Sequence, residues 1–238
     1  MAFGFLVLAG PAVAPAADHE VRALLIPRQE TVLAAETSGR VDRITVDMGQ
    51  RFDRGQALVV VDSGVPRARR RMAQAELEEA RHTYQSNREL ERLQSVSAVE
   101  VAVSRARMQR AEAEVALQEH QIDRCTVTAP FPGRVVRREV QPFAFVTPGQ
   151  QLLEIIDDRT PELQLLVPSR WIRWLEEGTS FGLRVDETGG EYRARVTAVG
   201  ARVDPVSQTL EVRARLEGNH PELLAGMSGT AVFAPPVR

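Results

Sequence analysis

The chain has no lysine, one cysteine and few aromatic residues. All 30 basic residues are arginine, so any cofactor arm that needs an amide bond to a lysine amine is excluded. Cys125 has no second cysteine with which to form an intrachain disulfide, and we expect a buried thiol that packs as a small hydrophobe. The formal net charge of −2 argues against nucleic acid as the main partner, because phosphate binding needs a basic surface.

Signatures of catalysis and metal binding are also missing. No Gly-x-Ser-x-Gly elbow, phosphate-binding loop or dinucleotide fingerprint occurs in the sequence. The adjacent carboxylates of Asp157 and Asp158 would point to opposite faces of a strand, and we interpret them as part of a linker at residues 157–161. We therefore predict a protein that is not an enzyme and that has no cofactor and no metal site. The histidines and methionines that could bind a metal are scattered along the chain: His19, His82, His120, His220, Met48, Met72, Met108 and Met227.

Two stretches of the chain repeat each other with an offset of 94 residues, as from residue 38 to residue 132. SGRVDR at residues 38–43 returns as PGRVVR at residues 132–137, and RGQAL at residues 54–58 returns as PGQQL at residues 148–152. Short alternating segments with glycine turns are typical of β-strands, so the repeat predicts a β-module built from two like halves. The glycines expected to mark structural turns are Gly39, Gly55, Gly133 and Gly149.

The segment between the two copies has helical periodicity. From residue 66 to residue 93 it contains no glycine, and its one proline stands in the first turn of the predicted helix. Ser97 and Glu100 form a capping box for a second helix that ends near Asp123. Two helices of this length joined by a tight turn must be antiparallel, each about 40 Å long. The spacing predicts two coiled-coil seams, one of Ala73, Leu77, Ala80 and Tyr84 and one of Ala102, Ala106, Gln109, Ala113 and Leu117.

The last third of the chain has strand patterns at regular spacing and one short helix at residues 169–177. Trp171 and Trp174 lie on one face of that helix, and we expect them to plug one end of a barrel rather than bind a ligand. Two further strand candidates, residues 23–26 and 31–35, precede the repeat. Together these patterns predict a small β-barrel, with later strands near residues 163–167, 181–185, 192–199, 209–216 and 230–233.

Three motifs in this order resemble a known family. TAPFPGRV at residues 128–135 is similar to the segment that opens the second half of a split lipoyl or biotinyl module. VDPVSQTLEVR at residues 203–213 and GNHPELLAGM at residues 218–227 resemble two segments of a β-barrel domain. Over about residues 20–235 the chain resembles the periplasmic adaptor subunits, or membrane fusion proteins of the HlyD-like family, of bacterial tripartite efflux systems.

The resemblance implies a mainly β fold with an α-helical hairpin. The expected parts are a lipoyl-like β-sandwich split by an antiparallel coiled-coil hairpin and a small β-barrel. We place the barrel at residues 20–36 and 160–235, the lipoyl-like domain at 37–64 and 125–157, and the hairpin at 65–123. A carrier function of the lipoyl-like domain is excluded because no lysine is present. We expect the family's membrane-proximal domain to be absent or residual.

The resemblance also implies the partners. Adaptors link an inner-membrane transporter, of the resistance-nodulation-division or ATP-driven class, to an outer-membrane exit duct for efflux across the cell envelope. They form a homo-oligomer ring, usually a hexamer, in the periplasm, associated with the inner membrane of a Gram-negative bacterium. An adaptor or scaffold for an ATP-driven inner-membrane transporter without a dedicated exit duct is the alternative.

In the family, an arginine, a leucine and a serine at the hairpin tip contact the exit duct. With the chains aligned on the cap of the second helix, Ser97 takes the serine place and Leu90 the leucine place. The arginine place falls on Ser86, which departs from the pattern, and Arg88 or Arg92 is the candidate substitute. The resemblance therefore implies a partner-binding tip made of Arg88, Leu90, Arg92 and Ser97.

The N-terminal residues 1–17 are similar to a secretory signal segment. A short apolar run at residues 3–9 is followed by the small-residue pattern APAA at residues 14–17, although no arginine precedes the run. The run is shorter than the roughly 20 apolar residues that a membrane-spanning helix needs. Export to the periplasm is the expectation that follows.

Overall fold

The computed structural model describes residues 19–234, and these residues fall into two compact units. One unit consists of residues 19–28 and 158–234, and the other is Gln29–Asp157. The expected signal segment, residues 1–17, lies outside the described residues. The change of unit between Asp157 and Asp158 falls within the predicted linker.

The regular secondary structure of the described residues is mainly strand, and two long helices interrupt the strands. In chain order the elements are β1 (Glu20–Ile26), β2 (Glu30–Ala34), β3 (Gly39–Ile44), β4 (Arg51–Phe52), β5 (Ala57–Val61), α1 (Gly64–Arg92), α2 (Ala98–Asp123), β6 (Thr126–Thr128), β7 (Gly133–Arg138), β8 (Phe145–Val146), β9 (Gln151–Ile156), β10 (Glu162–Pro168), a 3-10 helix (Ser169–Arg173), β11 (Ser180–Val185), β12 (Glu191–Asp204), β13 (Thr209–Leu216) and β14 (Ser228–Val232).

The unit Gln29–Asp157 contains a β-sandwich of two antiparallel sheets. One sheet has the strand order β2-β9-β7-β4 and the other has the order β6-β5-β3-β8. Strands β3, β4 and β5 of the first copy of the repeat correspond to β7, β8 and β9 of the second copy. Each sheet therefore takes strands from both copies, and the predicted module of two like halves is confirmed.

Strand β2 lies in this sandwich and not in the barrel. It pairs with β9, with Thr31 opposite Ile155, just as its counterpart β6 pairs with β5. Ala35, next to β2, and Ala129, next to β6, are both buried. The prediction that residues 20–36 join the barrel is therefore wrong for residues 29–36. Strands β2 and β6 have too few residues in common, so comparison of the two copies in the sequence does not extend the repeat to them.

The repeat is also visible in the sandwich core. A large apolar side chain at a buried position of the first copy has a buried apolar counterpart in the second copy, which keeps the two halves equally packed. Glycine is required at Gly133, because an added Cβ atom would lie 2.0 Å from the carbonyl oxygen of Ile156. The matched core pairs are Val41 and Val135, Val46 and Val140, Phe52 and Val146, Leu58 and Leu152, Val59 and Leu153, and Val61 and Ile155.

Helices α1 and α2 form the predicted antiparallel hairpin between the two copies. The seam predicted on α1 lies toward α2, with Ala73 and Leu77 buried and Ala80 and Tyr84 half-buried. The seam predicted on α2 is wrong, because Ala102, Ala106, Gln109, Ala113 and Leu117 are all exposed. The residues of α2 that are buried or half-buried at heptad spacing are Val101, Ser104, Met108, Ala111, Val115, Gln118 and Ile122.

The base of the hairpin is attached to the sandwich. Arg124, which follows α2, lies 3.4 Å from a carboxylate oxygen of Glu36 through its Nε atom and also donates a hydrogen bond to the Glu36 carbonyl. On the other side, the backbone N–H of Val61 donates to the carbonyl of Cys125 at 2.8 Å. These contacts lie at the two points where the chain passes between the sandwich and the hairpin. They hold the base of the hairpin in a defined position.

The other unit is a closed antiparallel barrel with the strand order β1-β10-β13-β12-β11-β14. The helix predicted at residues 169–177 is shorter in the structure, a 3-10 helix at Ser169–Arg173. Trp171 is buried in the barrel core beside the half-buried Trp174. The two indole rings have centroids 5.1 Å apart, and the Trp171 ring meets the Phe233 ring edge-on at 5.2 Å. The expectation that the tryptophans close one end of the barrel is therefore consistent with their packing.

Candidate functional site

The hairpin tip is a short, well-defined turn between α1 and α2. The N–H of Ser95 donates to the Leu90 carbonyl at 2.8 Å, and the N–H of Gln94 donates to the Glu91 carbonyl at 2.8 Å. Gln94 has a φ of 59°, so the pair of bonds forms a Schellman motif with glutamine in the left-handed position. The carbonyl groups of Leu90 and Glu91 in the last turn of α1 therefore have donors, and the chain leaves the helix in a fixed direction.

Ser97 caps the start of α2. Its side-chain oxygen accepts a hydrogen bond from the Glu100 N–H at 3.3 Å, and Glu100 stands in the first turn, where a carboxylate is favoured by the helix dipole. The serine thus has a structural role in addition to the contact role that the resemblance implies. A tip with both helix ends capped presents its side chains from a rigid turn.

Apolar side chains at the tip point into solvent. Leu90 is 39% exposed and Leu93 is 67% exposed, while the next turn of the hairpin adds the exposed Val99. Exposed apolar residues grouped at one place and surrounded by polar residues indicate a protein contact surface. Sequence reasoning did not select Leu93 as a residue of the tip surface. Its place directly before the helix-ending turn was the available signal.

The two candidate arginines lie on the exposed surface of α1 close to the tip. The Arg92 guanidinium is 3.3 Å from a Glu89 carboxylate oxygen, and the Arg88 guanidinium carbon is 6.0 Å from the centroid of the Tyr84 ring. Both interactions are with neighbours on the same helix, and both arginine side chains are exposed, so the arginines can exchange them for a partner contact at little cost. The structure therefore groups Leu90, Arg92 and Ser97 at the turn and places Arg88 one helical turn earlier.

The repeat glycines serve the sandwich and not the tip. Gly55 and Gly149 stand in equivalent turns with φ values of 80° and 84°, and their N–H groups donate to the carbonyls of Ala129 and Ala35, each at 2.8 Å. Gly39 and Gly133 begin strands β3 and β7 instead of occupying turns. These positions keep the two copies closed against each other.

The hairpin loop of the barrel between β12 and β13 is organised by one carboxylate. Asp204 accepts hydrogen bonds from the N–H of Ser207 at 2.8 Å, from the Ser207 hydroxyl at 3.0 Å and from the N–H of Val206 at 2.9 Å. These donors, with the Ser207 N–H first, hold the pKa of Asp204 below its usual value. The segment VDPVSQT is thus a turn-forming motif.

Residues 19–234 contain no group of three or more His, Cys, Asp or Glu side chains placed to hold a metal ion. Within the same residues, no helix combines the length and the apolar character needed to cross a bilayer.

Two protein-family models match the chain. A CzcB-like, barrel-sandwich hybrid domain matches residues 29–157, and a CusB-like, beta-barrel domain matches residues 163–236. The boundary between them agrees with the two units of the structure.

Among curated relatives, an uncharacterised protein of Haemophilus influenzae is 27% identical over 216 residues, which are 90% of this chain. The chain spans 56% of the length of that relative.

Solved structures share the fold at low sequence identity. A MacA-MexA chimeric protein containing the Pseudomonas aeruginosa MexA α-hairpin domain is 19% identical, with a TM-score of 0.81 over 90% of this chain and 79% of the other. The membrane fusion protein Spr0693 from Streptococcus pneumoniae R6 is 17% identical, with a TM-score of 0.78 over 92% of this chain and 99% of the other. At these identities the comparisons establish the common architecture.

Proposed function

Since the chain belongs to the CzcB-like barrel-sandwich hybrid family, whose members are the membrane fusion proteins or periplasmic adaptors, we propose that it links an inner-membrane transporter to an outer-membrane exit duct. Members of this family act as adaptors and not as enzymes, so the proposed role of this chain is to assemble the transport complex. The periplasmic face of the inner membrane is the proposed location, and a homo-oligomer ring is the proposed form.

The observation that carries the proposal is the capped hairpin tip with exposed apolar side chains. Leu90 and Leu93 are presented by a turn in which both helix ends are satisfied, and the base of the hairpin is fixed to the sandwich through Arg124. A rigid arm with an apolar end transmits position and docks without ordering a flexible segment, which lowers the entropic cost of binding. We assign the exit-duct contact to Leu90, Leu93 and Ser97, with Arg88 and Arg92 beside them.

Charge substitution at the tip tests this assignment. Leu90→Asp is expected to abolish site-specific cross-linking between the tip and an outer-membrane exit-duct protein in intact cells, because a carboxylate would have to be desolvated in an apolar contact. Ser97→Asp keeps an oxygen acceptor for the helix cap and adds a charge, so it is expected to weaken the same cross-link while the helix content by circular dichroism is unchanged.

Val65→Asp is the matched control, because Val65 is an exposed apolar residue at the opposite end of the same hairpin. It should leave the cross-link at the level of the unmodified chain. A Leu90→Asp chain that still cross-links to the duct would show that the tip is not the contact. Recovery of an ATP-driven transporter without any exit duct would favour the alternative, an adaptor or scaffold that works without a dedicated duct.

A further inference from the structure

The helical hairpin carries an open groove on one side of the line where α1 and α2 meet. Its volume is about 540 Å³, within the range of about 300–1,000 Å³ that is typical of small-molecule sites. Small side chains of both helices, Ala73, Ala80 and Ala111, line the groove and leave room for a ligand beside the backbone. The charged and polar residues of the lining decide which ligand chemistry would fit.

Gln118 is the lining residue whose hydrogen bonding is incomplete in the described chain. Its side chain is only 6% exposed, and its Nε2 atom donates to the Glu114 carboxylate at 2.8 Å, which fixes the orientation of the amide. Its Oε1 atom is buried and accepts no hydrogen bond from residues 19–234. A buried acceptor without a donor is costly, so this oxygen indicates that a donor from another molecule completes the groove.

Carboxylates line the part of the groove beside Gln118. The Arg81 guanidinium lies 3.3 Å from a Glu112 carboxylate oxygen, and this contact sets the register of the two antiparallel helices. In that register the two groove carboxylates of α1 lie level with about residues 114 and 117 of α2. A protonated amine would donate to the Gln118 oxygen and neutralise carboxylate charge at the same time. The carboxylates are those of Glu76, Glu79 and Glu114.

The part of the groove nearer the hairpin tip has the opposite charge. It is lined by the exposed Arg107 and Arg110, whose guanidinium groups are donors only. Within residues 19–234 neither arginine makes an ion pair. Arg110 and Gln118 are about 12 Å apart along the helix axis, at 1.5 Å per residue. A carboxylate bound by the arginines would therefore lie about that distance from an amine at Gln118.

We propose that the groove is a binding site for an elongated zwitterionic small molecule. Its protonated amine lies at Gln118, its carboxylate lies at Arg107 and Arg110, and an apolar chain between them passes over Ala80 and Ala111. Mixed charges alone would be an ordinary solvated helix surface, and the buried oxygen of Gln118 is what distinguishes this one.

The order of the charges favours a zwitterion over a singly charged ligand. Arg69 lines the base end of the groove, so arginines stand at both ends and the carboxylates stand between them. A ligand that is cationic at both ends would meet an arginine, and a ligand that is anionic along its length would meet the carboxylates. The site does not depend on the transport role proposed above, because binding to the purified chain involves neither a transporter nor a duct.

Calorimetric titration of the purified full chain tests the site with a defined probe. The probe is ω-aminodecanoic acid, and decylamine and decanoate are the matched compounds that keep only one of its two charged ends. The probe is expected to bind more than about tenfold more tightly than either compound, because one molecule then makes both charge-assisted contacts. Equal affinity for the three compounds, or no binding of the probe, would overturn the proposal.

Gln118→Leu separates a binding role from a structural one. The change removes the acceptor and nearly keeps the volume, so it is expected to weaken binding of the probe by more than about tenfold. The urea midpoint of the free chain is expected to stay the same or to rise, because a buried oxygen without a donor is replaced by an apolar group. A lower midpoint, or unchanged affinity, would overturn the role assigned to Gln118.

A double variant, Arg107→Gln with Arg110→Gln, tests the other end of the ligand. It is expected to reduce the affinity for the probe to that for decylamine, because the carboxylate loses both guanidinium partners. Arg105→Gln is the matched control, since Arg105 is exposed on the same helix but does not line the groove, and it should leave the affinity unchanged. Equal losses in the control and in the double variant would show a general effect of charge and would overturn the site.

Discussion

At the scale of single residues, the internal repeat provides its own comparison. Gly49 and Phe143 occupy equivalent positions, and their N–H groups donate to the equivalent carbonyls of Val135 and Val41, each at 2.8 Å. Their φ values are 81° and 68°, so both turns require the left-handed region. In the second copy a bulky, 70% exposed aromatic residue takes a conformation that favours glycine, at a cost of about 1–2 kcal/mol.

Substitutions at these two positions should act with opposite signs. Gly49→Ala is expected to lower the free energy of unfolding by about 1 kcal/mol, although an added Cβ atom would meet nothing within 4 Å, because the φ angle alone is strained. Phe143→Gly is expected to raise it by up to about 1 kcal/mol. Urea unfolding followed by circular dichroism measures both, and changes of the same sign would contradict the explanation.

The single thiol gives a second residue-scale prediction. Desolvation raises the pKa of Cys125 above its ordinary value of 9.0, and the nearby Asp62 carboxylate raises it further. A group with a raised pKa in the folded state stabilises fully below its unfolded pKa, and this stability is lost as the pH rises through the folded pKa. The urea midpoint is therefore expected to fall as the pH rises above the ordinary thiol pKa of 9.0, by more than in Cys125→Ala, and equal falls would contradict this.

Sequence reasoning located the turns at Gly55 and Gly149, but it also expected turns at Gly39 and Gly133, which begin strands, and it did not find the strained phenylalanine. The residue type at position 143 does not indicate a positive φ. Only its alignment with Gly49 in the internal repeat does. The burial of Cys125 was expected from its residue type and is confirmed.

At the scale of elements, the helix α1 seam could be predicted from spacing and the α2 seam could not. The outward face of α1 is polar, so one register is favoured. In α2, alanine and other apolar residues occur around the whole helix, and only the packing against α1 decides which face is inside. Gln118 and Ser104, two polar residues, lie in the seam, which no hydrophobic pattern would select.

Leucine truncation on each helix tests the register. Leu77→Ala removes a buried seam side chain and is expected to destabilise the hairpin unit by about 2–3 kcal/mol. Leu117→Ala, at a position that spacing assigns to the seam and that the structure leaves 50% exposed, should cost less than about 0.5 kcal/mol in the monomer. Unfolding curves at a concentration where sedimentation shows a single chain measure both. Equal costs would favour the register based on spacing.

At the scale of the whole molecule, the domains are nested. The barrel unit surrounds residues 29–157 in sequence, and within those residues the sandwich surrounds the hairpin. This order follows from the repeat and the helical insert, and it could be predicted. The exact boundary could not, because β2 shares little sequence with its counterpart β6 and was assigned to the neighbouring barrel.

The inner unit is expected to fold on its own. Its two ends meet, since the N–H of Asp157 donates to the Gln29 carbonyl at 2.8 Å. A fragment of residues 29–157 should unfold cooperatively in urea, whereas residues 37–157, which lack β2, should leave β9 without its neighbour and lose that cooperative transition. Equal behaviour of both fragments would show that β2 is dispensable to the sandwich.

Closure of the barrel has a consequence for biosynthesis. Strand β1 pairs with β10, where Leu24 lies opposite Gln164, and with β14, where Val21 lies opposite Ala231. It therefore cannot complete its pairing until both later strands have been synthesised. Pairings between such distant parts of a chain form slowly, and apolar strands that wait for them are prone to aggregate. A cell that synthesises this protein must keep its first strand soluble until nearly the last one has left the ribosome.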